Sequence, residues 1–156
     1  DKDKTAESRH AKGWSTLGDV GYVDEQGYLY LTDRKSYMII SGGVNIYPQE
    51  VENILAIHDK VADVAVFGIP NEEFGEEVKA VIEPMNWADA TDETAIEIME
   101  WLRERISSIK IPRSVDFHPK LPRMDNGKLY KRHLVEEYRA KVLGDTNTKP
   151  AESDSP

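Results

Sequence analysis

Apolar residues near the start of this chain gather into short extended runs that are separated by glycine-containing turns. In residues 18–34, GDVGYVDEQGYLYLTDR, apolar positions lie on both sides of a turn that closes on Gly27, which predicts a β-hairpin. The segment MIISGGVNIYP repeats this pattern around Gly42 and Gly43. We therefore expect a second hairpin in residues 38–47.

Further extended runs occur later in the chain. Residues 61–70, VADVAVFGIP, are almost continuously apolar and rich in valine, which is typical of a buried strand. Residues 76–84 are expected to pair with this strand, across an acidic loop. The segment SVDFH at 114–118 predicts a short strand, and GKLYK at 127–131 is a further candidate.

Three other segments show the helical spacing of apolar residues. The first helix is predicted to begin at Pro48. The second is predicted over residues 92–109, with Thr91 or Asp92 as its N-cap. The third is predicted over residues 131–143, with Gly144 as its stop. The apolar faces are Val51, Ile54, Leu55 and His58 in the first; Ala95, Met99, Leu102, Ile106 and Ile109 in the second; and Leu134, Val135, Tyr138 and Val142 in the third.

This order of elements predicts the fold class. Adjacent strands that are not separated by crossover helices favour antiparallel pairing. We expect an α+β fold, with a small antiparallel sheet, an additional β-hairpin and about three flanking helices. Residues 145–156 are polar and contain two prolines, so we expect a disordered tail.

Composition narrows the classes of function. The net charge of −9 over 156 residues argues against nucleic acid as a partner of the whole surface, but it leaves room for a local basic site. No apolar run approaches the length of a membrane span. The lack of cysteine excludes disulfides, thiolate catalysis and cysteine-based zinc sites, and it suits a cytoplasmic protein. Because the chain starts without Met, we interpret it as a fragment of a longer protein.

Two segments near the predicted hairpins could carry chemistry. Asp19 lies between two glycines, where its carboxylate could accept hydrogen bonds from a ribose diol or simply bond its own backbone. Gly42 and Gly43 follow the charged DRK segment at 33–35. Since glycine has no Cβ, a thin ligand could approach here, although a tight turn with a surface ion pair explains the residues equally well.

Two later segments can each be interpreted as ligand-binding or as purely structural. Phe74 lies in the acidic loop PNEEFGEE, where it could stack on a base or fold back onto the core. Lys128 follows Asn126 and Gly127, a strong turn signal. Its ammonium group could reach a phosphate or carboxylate as a point charge, or it could be a solvated lysine on a hairpin.

Taken together and in order, four segments resemble the C-terminal portion of an AMP-forming acyl-CoA synthetase, in the adenylate-forming superfamily. They are GWSTLGDVGYVDEQGYLYLTDRK, MIISGGVNIYPQEVE, VADVAVFGIPNEEFGEEVKAVI and LPRMDNGKLYKRHL. The resemblance implies that a carboxylic acid reacts with ATP to give acyl-AMP and pyrophosphate, and that a thiol, usually that of CoA, then displaces AMP. It also implies Mg²⁺ in the full-length enzyme, although no ligand for it is identified in this chain.

The resemblance implies a division of the chain into two domains. Residues 1–34 would be the end of a large N-terminal adenylating domain with the hinge, and residues 35–144 a small domain that rotates between the two reaction steps. By this resemblance Asp19 holds the ribose hydroxyls and Arg34 is the hinge-motif arginine that contacts the nucleotide. Ser36 falls at the hinge pivot, where Asp or Lys is more usual.

The remaining site residues are also implied by the resemblance. Gly42 and Gly43 would line the tunnel for the pantetheine arm of CoA, and Phe74 would stack on the CoA adenine. Lys128 would bridge the substrate carboxylate and the α-phosphate of ATP during adenylation. Without the adenylating domain we expect the chain to be inactive.

Two other functions remain open at this point. The same kind of domain could serve an enzyme that loads the phosphopantetheine thiol of a carrier protein instead of free CoA. Alternatively, the chain could be a non-catalytic α+β interaction module that keeps the fold.

Overall fold

The computed structural model describes residues 18–34 and 37–145, which contain seven strands and three α-helices. The strands are β1 (Asp19–Val23), β2 (Leu29–Arg34), β3 (Ile39–Ser41), β4 (Val44–Ile46), β5 (Val61–Asn71), β6 (Gly75–Pro84) and β7 (Ser114–Phe117). The helices are α1 (Pro48–Leu55), α2 (Asp92–Arg103) and α3 (Lys131–Asp145).

The strands form two separate sheets. Strands β1 and β2 pair only with each other, as an antiparallel ribbon, within the part of the chain that the structure describes. The second sheet has the order β4-β3-β6-β5, all antiparallel, and β7 also pairs with β6. The predicted α+β class, with a small sheet and an additional hairpin, is confirmed.

Strand β7 departs from the expected antiparallel pairing because it runs parallel to β6. A parallel neighbour requires a crossover connection, and the chain between Pro84 and Ser114 provides one through α2. The sheet is therefore mixed, with one parallel pair at β6–β7.

The long hairpin of β5 and β6 is buried on both faces. Val64 and Val66 of β5 belong to a core cluster under α1 and α2, whereas Ala65 and Phe67 belong to a second cluster under α3. Because successive residues of a strand point to opposite faces, both sets must be apolar. The almost unbroken apolar run that predicted a buried strand is explained by this double coverage.

An ion pair joins α1, β5 and the start of α3. The Nζ atom of Lys131 lies 2.6 Å from Oε1 of Glu52, and both side chains are only 10% exposed. The same carboxylate oxygen accepts a hydrogen bond from the backbone N–H of Val66, at 2.7 Å. Glu52 thus gives a partner to a backbone N–H on the outer edge of β5, which would otherwise be buried without one.

The ribbon of β1 and β2 differs from the rest of the fold in its exposure. Leu29, Leu31 and Tyr28 are each 65% exposed, and the rings of Tyr22 and Tyr30 stack across the two strands with centroids 5.1 Å apart. The ribbon therefore presents a large share of its apolar surface to solvent.

The second helix is shorter than predicted. The N-cap prediction is confirmed, because the Thr91 hydroxyl accepts from the N–H of Thr94 at 3.2 Å. The predicted end near residue 109 is wrong, since α2 stops at Arg103 and Ile109 is 43% exposed. The carbonyl of Leu102 accepts from both of the N–H groups at positions 105 and 106, which tightens the chain out of the helix.

Two smaller predictions about the C-terminal third are also wrong. Residues 127–131 form no strand, because the only pairing there is an isolated bridge between Arg123 and Leu129. Gly144 is not the helix stop, since α3 continues to Asp145. The remaining residues of the predicted tail, 146–156, lie outside the described part of the chain.

We predict that Glu52→Ala lowers the free energy of unfolding by about 3 kcal/mol, because it leaves the Lys131 ammonium largely buried without its partner. Urea denaturation would measure the effect. The matched control is Glu137→Ala, which breaks an ion pair with Lys141 between two exposed side chains and should cost less than about 0.5 kcal/mol. Equal losses for the two variants would contradict the assigned role of Glu52.

Candidate functional site

The loop that precedes α3 holds Lys128 in a defined turn. The N–H of Met124 donates to the carbonyl of Lys128 at 2.9 Å, and the N–H of Gly127 donates to the carbonyl of Met124 at 2.8 Å. Gly127 has a φ of 79°, a left-handed conformation that glycine adopts without strain. The side chain of Asn126 accepts from the N–H of Lys128 at 3.1 Å. The Asn-Gly turn therefore fixes the backbone of Lys128.

The side chain of Lys128 is exposed, in contrast to its backbone. Among residues 18–34 and 37–145 its ammonium group takes part in no salt bridge, whereas Lys131 is paired within the same segment. A cation that is held at a turn and left without a carboxylate partner in the described chain is suited to meet an anion from another molecule or domain.

The glycine pair forms the turn between β3 and β4, as the sequence predicts. Gly42 and Gly43 have φ values of 56° and 80°. The N–H of Gly42 donates to the carbonyl of Phe74 at 2.9 Å, so the fold brings these two predicted site residues together. A Cβ added at Gly43 would meet no atom within 4 Å. The turn therefore leaves open space beside Gly43, whereas a Cβ at Gly42 would lie 3.4 Å from the Phe74 ring.

A groove of about 690 Å³ lies beside this turn. Its lining includes Ser41, Gly42 and Phe74, together with residues from α2 and from the segment before β7. Two arginines, Arg103 and Arg113, are part of this lining. A groove with guanidinium groups, hydroxyls and apolar side chains can accommodate an anionic ligand that also has an aromatic or aliphatic part.

The arginines of the groove were not predicted from the sequence. The guanidinium carbon of Arg113 lies 4.0 Å from the centroid of the Phe74 ring, which is half-buried. Neither Arg113 nor Arg103 forms a salt bridge with any residue that the structure describes. The two arginines are ten positions apart along the chain, on a helix end and in a loop, so only the folded structure shows that they share a groove.

The two nucleotide-binding candidates lie on the ribbon. Asp19 and Arg34 are direct Cα partners across β1 and β2, and Asp19 is exposed. Gly18, which directly precedes Asp19, has a φ of 80°. The structure thus brings Asp19 and the backbone of Arg34 together. Ser36, the predicted hinge residue, lies outside the described residues.

The Lys128 loop and the groove lie near opposite ends of the β5–β6 hairpin. Arg123, in the same loop as Lys128, binds Asp63 near the start of β5. Phe74 lies in the turn after β5, where Asn71 pairs with Gly75. From Asp63 to Asn71 the strand rises roughly 26 Å, at about 3.3 Å per residue. The two candidate regions are therefore well separated on one rigid element.

Within the part of the chain that the structure describes, no group of three His, Asp or Glu side chains is placed to hold a metal ion. None of the helices there is long and apolar enough to span a lipid bilayer.

Comparison with known proteins places this geometry in context. A family model described as the AMP-binding enzyme C-terminal domain matches residues 50–128. A long-chain-fatty-acid–CoA ligase from Bacillus subtilis is 41% identical over 125 residues, which are 80% of this chain and 22% of the ligase. A feruloyl-CoA synthase from an Amycolatopsis species is 45% identical over 126 residues, which are 81% of this chain and 25% of the synthase.

Solved structures show the same similarity. The ATP-bound crystal structure of MatB from Rhodopseudomonas palustris superposes with a TM-score of 0.78 at 32% identity. The match covers 88% of this chain and 27% of that one. The chain thus spans about a quarter of the length of the curated relatives it matches.

Proposed function

Since this chain belongs to the family of AMP-binding enzyme C-terminal domains, we propose that it is the mobile small domain of an ATP-dependent ligase that joins a carboxylic acid to CoA. The observation that carries the proposal is the separation of the Lys128 loop from the glycine-bordered groove along β5. Two reaction steps can use these two regions in turn if the domain rotates against a larger adenylating domain.

In the adenylation step, we assign Lys128 to the reacting groups. A carboxylate attacks the α-phosphate of ATP, pyrophosphate leaves, and negative charge increases on the phosphate oxygens in the transition state. The ammonium group of Lys128, held at its turn, stabilises that charge and bridges to the carboxylate. Asp19 receives hydrogen bonds from the ribose hydroxyls, and Arg34 contacts the nucleotide.

Mg²⁺ would neutralise the ATP phosphates when it is bound. The described residues offer no cluster of three ligands for it.

In the thioester step, we assign the groove to CoA. The backbone at Gly42 and Gly43 admits the narrow pantetheine arm, because neither residue has a Cβ. Space is open beside Gly43, and the Phe74 ring lies next to Gly42. Arg103 and Arg113 face the anionic phosphates, and Phe74 provides a ring for the adenine. The thiolate attacks the acyl carbonyl carbon, the bond from that carbon to the AMP oxygen breaks, and AMP leaves.

The domain boundaries follow from the same proposal. Residues 1–34 close the adenylating domain and lead into the hinge at Ser36, and residues 35–144 rotate as one body.

The relatives are named for a long-chain fatty acid and for feruloyl-CoA, two unlike acyl groups. The proposal therefore extends to carboxylic acids as a class and leaves the choice of acid to the adenylating domain.

We predict that Lys128→Ala in the complete enzyme lowers carboxylate-dependent ATP–pyrophosphate exchange by at least about 100-fold, the usual loss for one stabilising contact in a transition state. Thioester formation from supplied acyl-adenylate should change by less than about twofold, because that step uses the groove. Lys120→Ala is the matched control, since it removes another exposed lysine of the same connection.

The two rates separate a rotating ligase domain from a non-catalytic module. Loss of exchange with retained thioester formation supports a rotating ligase domain. Exchange that persists in Lys128→Ala at the rate of the unaltered enzyme would contradict the proposed function and favour a non-catalytic module.

We predict that Arg113→Ala raises the KM for CoA about tenfold, because a hydrogen bond to a charged group contributes about 1.5 kcal/mol. The KM for pantetheine, which lacks the nucleotide phosphates, should stay unchanged, as should pyrophosphate exchange. Arg105→Ala is the control, since this arginine stacks on Trp101 at 4.0 Å and lies outside the groove lining. An equal effect on CoA and pantetheine would refute the phosphate assignment.

A further inference from the structure

Arg123 forms hydrogen bonds that have no role in either of the two reaction steps as assigned. Its Nε and Nη2 atoms donate to the two carboxylate oxygens of Asp63, at 2.7 Å and 2.6 Å. Its remaining terminal nitrogen, Nη1, donates to the backbone carbonyl of Gly127 at 2.6 Å. One planar group therefore ties the edge of β5 to the peptide bond that immediately precedes Lys128.

This contact completes the hydrogen bonding around Lys128. The turn already holds the N–H and the carbonyl of Lys128, through Asn126 and Met124. Arg123 adds the carbonyl on the N-terminal side, and it anchors the whole turn to β5. Three residues after Lys128, the ion pair of Lys131 with Glu52 fixes the start of α3 to α1. The backbone is held on both sides, and only the lysine side chain extends freely.

The pair of Arg123 and Asp63 gives the loop a defined geometry as well as stability. The side chain of Arg123 is 44% exposed and that of Asp63 is 19% exposed. Exposed ion pairs contribute about 1 kcal/mol or less to stability, and bidentate arginine–carboxylate pairs contribute more than others of their exposure. A forked guanidinium does give strict geometry, because its donors lie in one plane at fixed angles. The hydrogen bond to Asp63 raises the pKa of Arg123 from a value that is already far above neutral pH.

We propose that Arg123, held by Asp63, is a positioning residue that aims Lys128 at the reacting phosphate. This inference rests on the proposed function of Lys128 in adenylation. Arg123 acts through the Gly127 carbonyl and does not itself touch the substrate. When the domain rotates into the adenylation position, the lysine then arrives in its working geometry without a separate ordering of the loop.

The test measures ATP–pyrophosphate exchange by the complete enzyme with Arg123→Ala, Arg123→Lys and Asp63→Asn. We expect Arg123→Ala to lower kcat at least about tenfold, because a misplaced catalytic group loses rate steeply with distance. The KM for ATP and the thioester rate from supplied acyl-adenylate should each stay within about twofold. Arg123→Lys should lose less than Arg123→Ala but should not restore kcat, since an ammonium group cannot span Asp63 and Gly127 together.

Two controls separate positioning from general stability. Arg139→Ala breaks another ion pair between elements, with Glu76, at comparable exposures of 47% and 26%, and should leave exchange unchanged. The double variant Arg123→Ala with Asp63→Asn should be no slower than Arg123→Ala alone, because both changes remove one connection. If Arg123→Ala does not fold, Arg123→Lys and Asp63→Asn carry the same comparison.

The other possible outcomes each overturn the positioning role of Arg123. An unchanged kcat in Arg123→Ala, with exchange abolished in Lys128→Ala, overturns the positioning role and leaves the proposed function standing. A raised KM for ATP at constant kcat overturns it as well, because Arg123 would then bind the nucleotide directly. Unchanged exchange in Lys128→Ala removes the proposed function and this inference together.

Discussion

The burial of both faces of the β5–β6 hairpin is the constraint on which the rest of the structure depends. One face requires α1 and α2 as a cover, and the other requires α3. Because the helices must cover these two faces, the connection between β7 and α3 passes the start of β5, where Arg123 binds Asp63. The groove forms at the far end, where the turn after β5 meets the turn between β3 and β4. A hairpin packed on both sides does not bend easily, so the distance between the two regions is maintained.

The outer edge of β5 interacts with side chains from neighbouring elements. Two acidic residues act along it: Glu52 accepts from the N–H of Val66, and Asp63 binds Arg123. An unprotected strand edge is a site for unwanted pairing with another chain. Here Glu52 of α1 bonds one N–H of the edge, that of Val66, and the same carboxylate binds Lys131 at the start of α3. The protection of this N–H is thus linked to the segment that follows the Lys128 loop.

The sequence predicted what depends on local chemistry. The glycine turn of β3 and β4, the Thr91 cap and the Asn-Gly turn at Lys128 were identified correctly, because each depends on a few adjacent residues. The α+β class was identified from the order of the elements along the chain. The family resemblance is confirmed by the matching family model. The end of α2 was missed because apolar residues continue at helical spacing as far as Ile109. The parallel pairing of β7 was missed because it joins residues that are far apart in the sequence. The arginines of the groove and the bond from Arg123 to Gly127 were missed because only the folded structure brings these groups together.

The exposed ribbon of β1 and β2 has a consequence for how this segment behaves in solution. Two-stranded ribbons are only marginally stable by themselves, and this one carries apolar side chains such as Leu29 and Leu31 in the open. Neither of its strands pairs with a further strand among the described residues. Such a surface favours self-association as concentration rises. A segment trimmed to begin after the ribbon would keep both core clusters intact and would stay dispersed at higher concentration.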